Sequence, residues 1–277
     1  MTAIEPSARP SPPGGDAGLS TQDLTIAYGG NIAVADVTLD APLGHITGLI
    51  GPNGAGKTTT FNACNGLLRP THGSVALFGR DVTSLNTAVR ARLGLGRTFQ
   101  RMEICQGMTV AENVSLGQEA LSGGRNPLRH LLATPAQKKA IAAATADALE
   151  LCGLATIADR PAAILSTGQR RLLELARVVA GGFRFMLLDE PSSGLDDEET
   201  HRFGEILVSI VRERGSGILL VEHDMTLVMA VCEYLFVLDF GRLIFSGTPT
   251  ETQRSELVRA AYLGDADVVE ATEGVPV

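Results

Sequence analysis

Residues 51–59 constrain this chain more than any other stretch. They read Gly51-Pro52-Asn53-Gly54-Ala55-Gly56-Lys57-Thr58-Thr59 and fit the spacing G-x-x-x-x-G-K-[ST]. The apolar run before them, His45-Ile46-Thr47-Gly48-Leu49-Ile50, predicts a strand, and residues 60–68 after them predict a helix. Strand, glycine-rich turn and helix together make a phosphate cradle. A triphosphate needs several N–H donors on one concave surface, so the backbone must come close and glycine must remove Cβ atoms. Lys57 supplies a mobile positive charge for the outer phosphates. The Thr58 hydroxyl can ligate Mg²⁺, and the helix N-terminus adds partial positive charge.

A second signal is the apolar run Phe185-Met186-Leu187-Leu188, which ends in Asp189-Glu190-Pro191. Asp189 would orient Mg²⁺, directly or through water. Glu190 would polarise the water that attacks the γ-phosphorus. Standing alone, the pair also fits an exposed acidic turn after a strand. A third signal is Leu165-Ser166-Thr167-Gly168-Gln169-Arg170-Arg171. Its first residues open a predicted helix, where free N–H groups, a hydroxyl and the bare Cα of Gly168 suit an anion. An ordinary N-cap at Ser166 fits the spacing equally.

The 277 residues suffice for one large α/β domain or two small ones, and 44% hydrophobic content supports a sizeable core. With no Trp and only 4% aromatics, aliphatic side chains must fill it. The net charge of −8 argues against a general nucleic-acid binder, which needs a basic footprint, so no nucleic-acid partner is expected. Cys64, Cys105, Cys152 and Cys232 are scattered and lack metal-ligand spacing, as in a reducing compartment. No apolar run has the length of a membrane span, and the first residues do not read as a secretory signal. Any membrane part would come from another polypeptide.

Along the chain, residues 1–20 read as a disordered leader and residues 265–277 as an acidic tail. Early strands are expected at 24–26, 34–39 and 74–78. A helix at 109–116, a loop at 118–129 and a helix at 136–152 make a helical insertion within about 107–168. An amphipathic helix over 168–181 follows, then strands at 185–188 and 218–221 with a helix at 197–214 between them. Another helix starts near 225, and a hairpin closes the pattern at 234–238 and 243–245. This alternation predicts an α/β fold with a mostly parallel, buried sheet.

The phosphate loop, then L-S-x-G-Q, then the Asp-Glu-Pro strand, in that order, resembles the ATP-binding subunits of ABC transporters. The resemblance covers about 24–263, nearly the whole chain. It implies a P-loop NTPase core with an antiparallel β subdomain and a helical insertion subdomain. It also assigns further residues. Gln100, in Arg97-Thr98-Phe99-Gln100, matches the glutamine that senses Mg²⁺ and the attacking water and touches the membrane partner. Asp196, in Ser193-Gly194-Leu195-Asp196, matches the D-loop at the dimer interface. His223, in Glu222-His223-Asp224, matches the switch histidine that contacts the γ-phosphate, although it also fits a helix cap. Tyr28, before Gly29-Gly30, matches the aromatic that stacks on adenine, although it also fits a core residue. The chain departs from the pattern at Thr167, where the signature commonly has Gly.

By resemblance, the working unit is a head-to-tail pair with a second ATP-binding subunit. ATP and Mg²⁺ lie between the loop of one subunit and Ser166, Gly168 and Gln169 of the other. The partners implied are transmembrane permease subunits and, indirectly, an extracytoplasmic solute-binding protein, with this chain peripheral on the cytoplasmic face of the plasma membrane. The Arg97-Thr98-Phe99-Gln100 block, the insert with Pro127-Leu128 and Thr134-Pro135-Ala136, the Glu222-His223-Asp224-Met225 turn and the ending Ala261-Tyr262-Leu263-Gly264 look like the branched-chain amino acid importer branch. Urea and short-amide importers share them. A lipid- or lipopolysaccharide-exporting ATPase is the nearest alternative. A soluble ABC-type ATPase acting on ribosomes or DNA fits less well, because this chain has one nucleotide module and no long heptad run.

Overall fold

The computed structural model describes residues 14–98, 104–122 and 134–262. Two sheets organise them. The larger has six strands, in the order β10-β9-β3-β8-β7-β6. They are β3 (Ile46–Ile50), β6 (Leu95–Arg97), β7 (Phe185–Asp189), β8 (Gly217–Val221), β9 (Tyr234–Asp239) and β10 (Arg242–Gly247). The strands β9, β3, β8, β7 and β6 are mutually parallel, and β10 is antiparallel to β9. The smaller sheet is antiparallel, ordered β2-β1-β4-β5, from β1 (Leu19–Tyr28), β2 (Asn31–Ala41), β4 (His72–Leu77) and β5 (Arg80–Asp81).

The central strands lie in the middle of a sandwich, which explains their uninterrupted apolar runs. Every residue of β3, β7 and β8 is buried. Successive side chains point to opposite faces. Met186 and Leu188 join Ile218 and Leu220 in one core, whereas Phe185 and Leu187 join Leu219 and Val221 in the other. The first core holds most of the helices, and the second joins the small sheet to the helix that follows the glycine-rich loop, through Phe61, Ala63 and Cys64. A sheet covered on both faces loses the polar alternation that marks a half-exposed one.

The helices are α1 (Lys57–Asn65), α2 (Thr87–Arg92), α3 (Val110–Ser122), α4 (Pro135–Leu151), α5 (Thr167–Ala180), α6 (Asp197–Arg214), α7 (Met225–Val231), α8 (Pro249–Arg254) and α9 (Glu256–Tyr262). Caps set several of their starts. Thr134, Ser166, Asp196 and Thr248 each form a reciprocal capping box with the residue three positions on. The helical arm of α3 and α4 leans on α5. At Gly117 a Cβ would lie 1.9 Å from the Arg177 carbonyl oxygen, so only glycine permits this approach.

Several local readings change. β1 begins at Leu19, inside the stretch read as a leader, because Leu19 is fully buried and pairs with Ala41 and Leu77. Before it, the Asp16 carbonyl accepts from Leu43 N–H at 2.9 Å. α3 runs to Ser122, through residues 118–122 that read as loop. The edge strand β6 and the short helix α2 were not expected, since three residues of strand and six of helix are too few to show a period. The rest of the 118–129 loop, Pro127-Leu128 and the 265–277 tail lie outside the described residues.

Candidate nucleotide site

The parallel strands bring the chemistry to one edge. The carboxyl ends of β3, β8, β7 and β6 lie side by side and carry, in turn, the 51–57 loop, Glu222-His223, Asp189-Glu190 and Arg97-Thr98. Residues far apart in sequence therefore meet outside the carboxyl edge, where open α/β sheets form ligand crevices. Gln100, three residues beyond β6, lies outside the described residues.

The loop has the conformation that its glycines allow. Gly54 and Gly56 have φ of 80° and 98°. The need for glycine at position 51 has a further source: a Cβ there would sit 2.1 Å from the Leu238 carbonyl oxygen of β9. Lys57 Nζ is nearly buried and donates to the Gly51 and Pro52 carbonyl oxygens at 2.6 and 3.0 Å. A phosphate arriving at the loop would compete for those protons. Asn53, Gly54, Ala55, Gly56, Lys57, Thr58 and Thr59 line a cavity of about 370 Å³ together with Glu190, Ile32, Ala33, Phe240 and Gly241.

Asp189 is 1% exposed, and neither carboxylate oxygen has a hydrogen-bond partner among the described residues. Arg97 Nη2 lies 4.0 Å from Oδ2. Burial pushes the Asp189 carboxyl up to about 6, against the opposing pull of Arg97, with Glu190 and Glu222 adding to the rise. A buried carboxylate without donors suits a cation. Among the described residues no cluster of three or more His, Cys, Asp and Glu could hold a metal alone. One carboxylate, a threonine hydroxyl and the nucleotide's own phosphates is the donor set that Mg²⁺ takes in such sites, so the residues present fit it.

Glu190 begins the loop after β7 in the left-handed region, at φ 47°, and its N–H donates to the Val221 carbonyl at 2.8 Å. His223 Nδ1 stands 3.8 Å from Glu190 Oε1 and 3.9 Å from Glu222 Oε2, with its side chain 60% exposed. The cap of α7 is Asp224 rather than His223. That removes the capping alternative for the histidine. Tyr28 is 49% exposed at the tip of the β1–β2 hairpin and is no core residue.

Sequence reasoning passed over Glu222. It is fully buried and collects four donors. Ser192 N–H and Oγ–H reach Oε1 at 2.9 and 2.8 Å, and the His223 and Asp224 N–H groups reach Oε2 at 3.1 and 3.4 Å. Burial raises its pKa while those bonds oppose the rise. Glu222 thus holds the loop after Glu190 against the loop of His223. A carboxylate following the all-apolar β8 was the available signal.

Ser166 is an N-cap: its Oγ accepts from Gln169 N–H at 3.2 Å, and Gln169 Oε1 accepts from Ser166 N–H at 3.1 Å. Ser166, Gly168 and Gln169 do not line the 370 Å³ cavity within one chain. A Cβ on Gly168 would lie 2.3 Å from Glu199 Oε1, the far end of a flexible side chain, so a larger residue there would displace the Glu199 carboxylate. Asp196 caps α6 by accepting from Glu199 N–H at 2.8 Å. Arg171, also passed over, donates to the Ser193 carbonyl from Nε and Nη2 at 3.3 Å each and ties α5 to the loop that precedes α6.

A mostly parallel sheet with a glycine-rich loop between β3 and α1, an acidic pair ending β7, a second antiparallel sheet and a helical arm define a P-loop ATPase of the α/β class. The family model described as ABC transporter matches residues 34–193, and the chain belongs to that family. It is 38% identical over 252 residues to LivG, the high-affinity branched-chain amino acid transport ATP-binding protein of Salmonella typhimurium, covering 90% of this chain and 98% of that one. BraF of Pseudomonas aeruginosa, which carries the same description, is 37% identical, with coverage of 90% and 98%. LptB of Acidithiobacillus ferridurans, a lipopolysaccharide export system ATP-binding protein, is 36% identical, with coverage of 89% and 97%. Among solved structures, MJ1267, an ATP-binding cassette of an ABC transporter in its ADP conformation, superposes with a TM-score of 0.79 at 28% identity, covering 90% and 99%. The chain is an ATPase of this family.

Proposed function

We propose that this chain is the ATP-hydrolysing subunit of an importer for branched-chain amino acids or related small amino acids and amides. Its 38% identity to LivG, sustained over 98% of that protein, carries this reading. The cavity takes the triphosphate, with Asn53 to Thr59 around the phosphates and Lys57 on the outer ones. Asp189, Thr58 and Gln100 would hold Mg²⁺, which when bound neutralises phosphate charge. Glu190 polarises the attacking water, and His223, within reach of Glu190, contacts the γ-phosphate side. Tyr28 meets the adenine.

The signature residues Ser166, Gly168 and Gln169, with Asp196, act on the nucleotide of a second ATP-binding subunit. Supporting this is their absence from the lining of the cavity in their own chain. ATP then favours the closed pair because it contacts both members only there, which shifts a population. Transmembrane permease subunits receive the motion, and a solute-binding protein outside the cytoplasm delivers the cargo. No helix among the described residues is long and apolar enough to cross a membrane. In this reading the subunit sits peripherally on the cytoplasmic face.

Export of lipopolysaccharide is the second reading, favoured by the 36% identity to LptB. Uptake of labelled leucine, isoleucine, valine and urea by cells with and without the chain separates them. Import predicts loss of at least one uptake on deletion. Unchanged uptake of all four, with lipopolysaccharide retained at the inner membrane, would favour export.

A further inference from the structure

We propose that Phe240 is a nucleotide-contacting residue whose ring forms one wall of the slot that takes the base of the bound triphosphate. This rests on the reading of the 51–59 loop as the ATP site.

The cavity lining is of two chemical kinds. Lys57, Thr58 and Glu190 are polar, while Ile32 and Phe240 also line it and are 61% and 90% exposed. A nucleoside triphosphate has the same division, with charged phosphates at one end and a flat π system at the other. Aromatic faces take such a partner by offset stacking.

The β9–β10 turn is built against its own preference to present this ring. Asp239 pairs with Arg242, so Phe240 and Gly241 form a two-residue hairpin loop. Their φ values are 43° and 75°. Positive φ at both central positions is the type I′ turn, which favours Asn, Asp or Gly first and Gly second. A bulky phenylalanine in the left-handed region is strained, and at 90% exposure its ring gains little from packing against the described residues. Strain held without a folding benefit points to a ligand.

The turn is also fixed to the phosphate loop. Gly241 N–H donates to the Ala55 carbonyl at 3.0 Å, and Ala35 N–H donates to the Gly241 carbonyl at 2.8 Å. The backbone of the turn is therefore held beside the phosphate cradle and β2, with the Phe240 ring carried on it. Because stacking uses the π face and not the base edge, this wall accepts adenine and guanine alike.

The test is displacement of a fluorescent ATP analogue from the native chain and from Phe240→Asn, using ATP, GTP and inorganic tripolyphosphate as competitors. Asn suits the turn, so the variant should melt at or above the native temperature. ATP and GTP should each bind about tenfold more weakly, equivalent to about 1.4 kcal/mol, with tripolyphosphate unchanged. Native affinity for ATP in Phe240→Asn would overturn the proposal, as would an equal loss for tripolyphosphate, which would mean that the ring acts through the loop. Failure of the native chain to bind any of the three would instead overturn the site reading.

Discussion

Asp189 and Glu190 are neighbours in sequence with opposite surroundings. Asp189 faces inward without a donor among the described residues, whereas Glu190 turns through a left-handed φ into the cavity. Replacing Glu190 by Gln keeps the shape and removes the proposed base. Steady-state phosphate release should fall by about 10²–10⁴-fold, while equilibrium ATP binding stays within about threefold of native. For Asp189 the folded pKa lies above the unfolded value of 3.8, at about 6. Between those values the native state keeps a proton that the unfolded state has released, so stability falls as pH rises through that window. The penalty is complete above pH 6. In EDTA, Asp189→Asn should therefore melt higher than native at pH 7.5 and close to native near pH 4. Equal melting shifts at both values would contradict the burial argument. Glu222 poses the reverse problem, because removing its carboxylate orphans donors on two loops. Glu222→Leu should lower unfolding free energy by about 3 kcal/mol in urea titrations.

At the scale of elements, α1 shows how the phosphate helix is finished. It has no basic residue in its last turn. Arg90 of α2, fully buried, supplies the charge from outside: Nη1 donates to the Ala63 and Cys64 carbonyls at 2.7 Å each, and Nε to the Leu85 carbonyl at 3.0 Å. A cation at a helix C-terminus offsets the macrodipole while its protons satisfy carbonyls left over by the last turn. Arg90→Met should cost about 3 kcal/mol of stability, measured by urea unfolding. Nothing in the residues around position 90 announced this role. It depends on α2 folding back over the end of α1, a contact between residues 26 and 27 positions apart. By contrast, α6 was readable from end to end, because Asp196 and Glu199 give a capping box and Gly215 at φ 62° a stop. The hairpin of β9 and β10 was readable in its strands, yet the turn between them hid its use: Phe240-Gly241 marks a reversal, and only the fold sets it beside the loop.

At the scale of the whole molecule, the signature helix tests whether the nucleotide is shared between two chains. Thr167 is the first residue of α5 and is exposed. A glutamate there is favourable for the helix, whose N-terminus carries partial positive charge, and unfavourable for a facing γ-phosphate. Thr167→Glu should keep the native melting temperature and the ATP affinity of the isolated chain. Light scattering of Thr167→Glu in a Glu190→Gln background should show no ATP-dependent dimer, whereas Glu190→Gln alone should form one. Dimerisation that survives Thr167→Glu would remove the signature from the interface.

Local rules in the sequence determined the phosphate loop, the acidic end of β7, the Ser166 cap and the class of fold. Glycine spacing, apolar runs and capping residues act within a few positions of themselves, so they survive being read in one dimension. The tertiary structure decided what those pieces share. Parallel order β3-β8-β7 puts Glu222 between two loops and His223 beside Glu190. The return of β9 to the edge of β3 brings Phe240 to the cavity and Leu238 against Gly51. The loop that first named only a phosphate is completed by strands that begin more than a hundred residues later. Such neighbours are chosen by strand order and burial on both faces of the sheet, which no local pattern encodes.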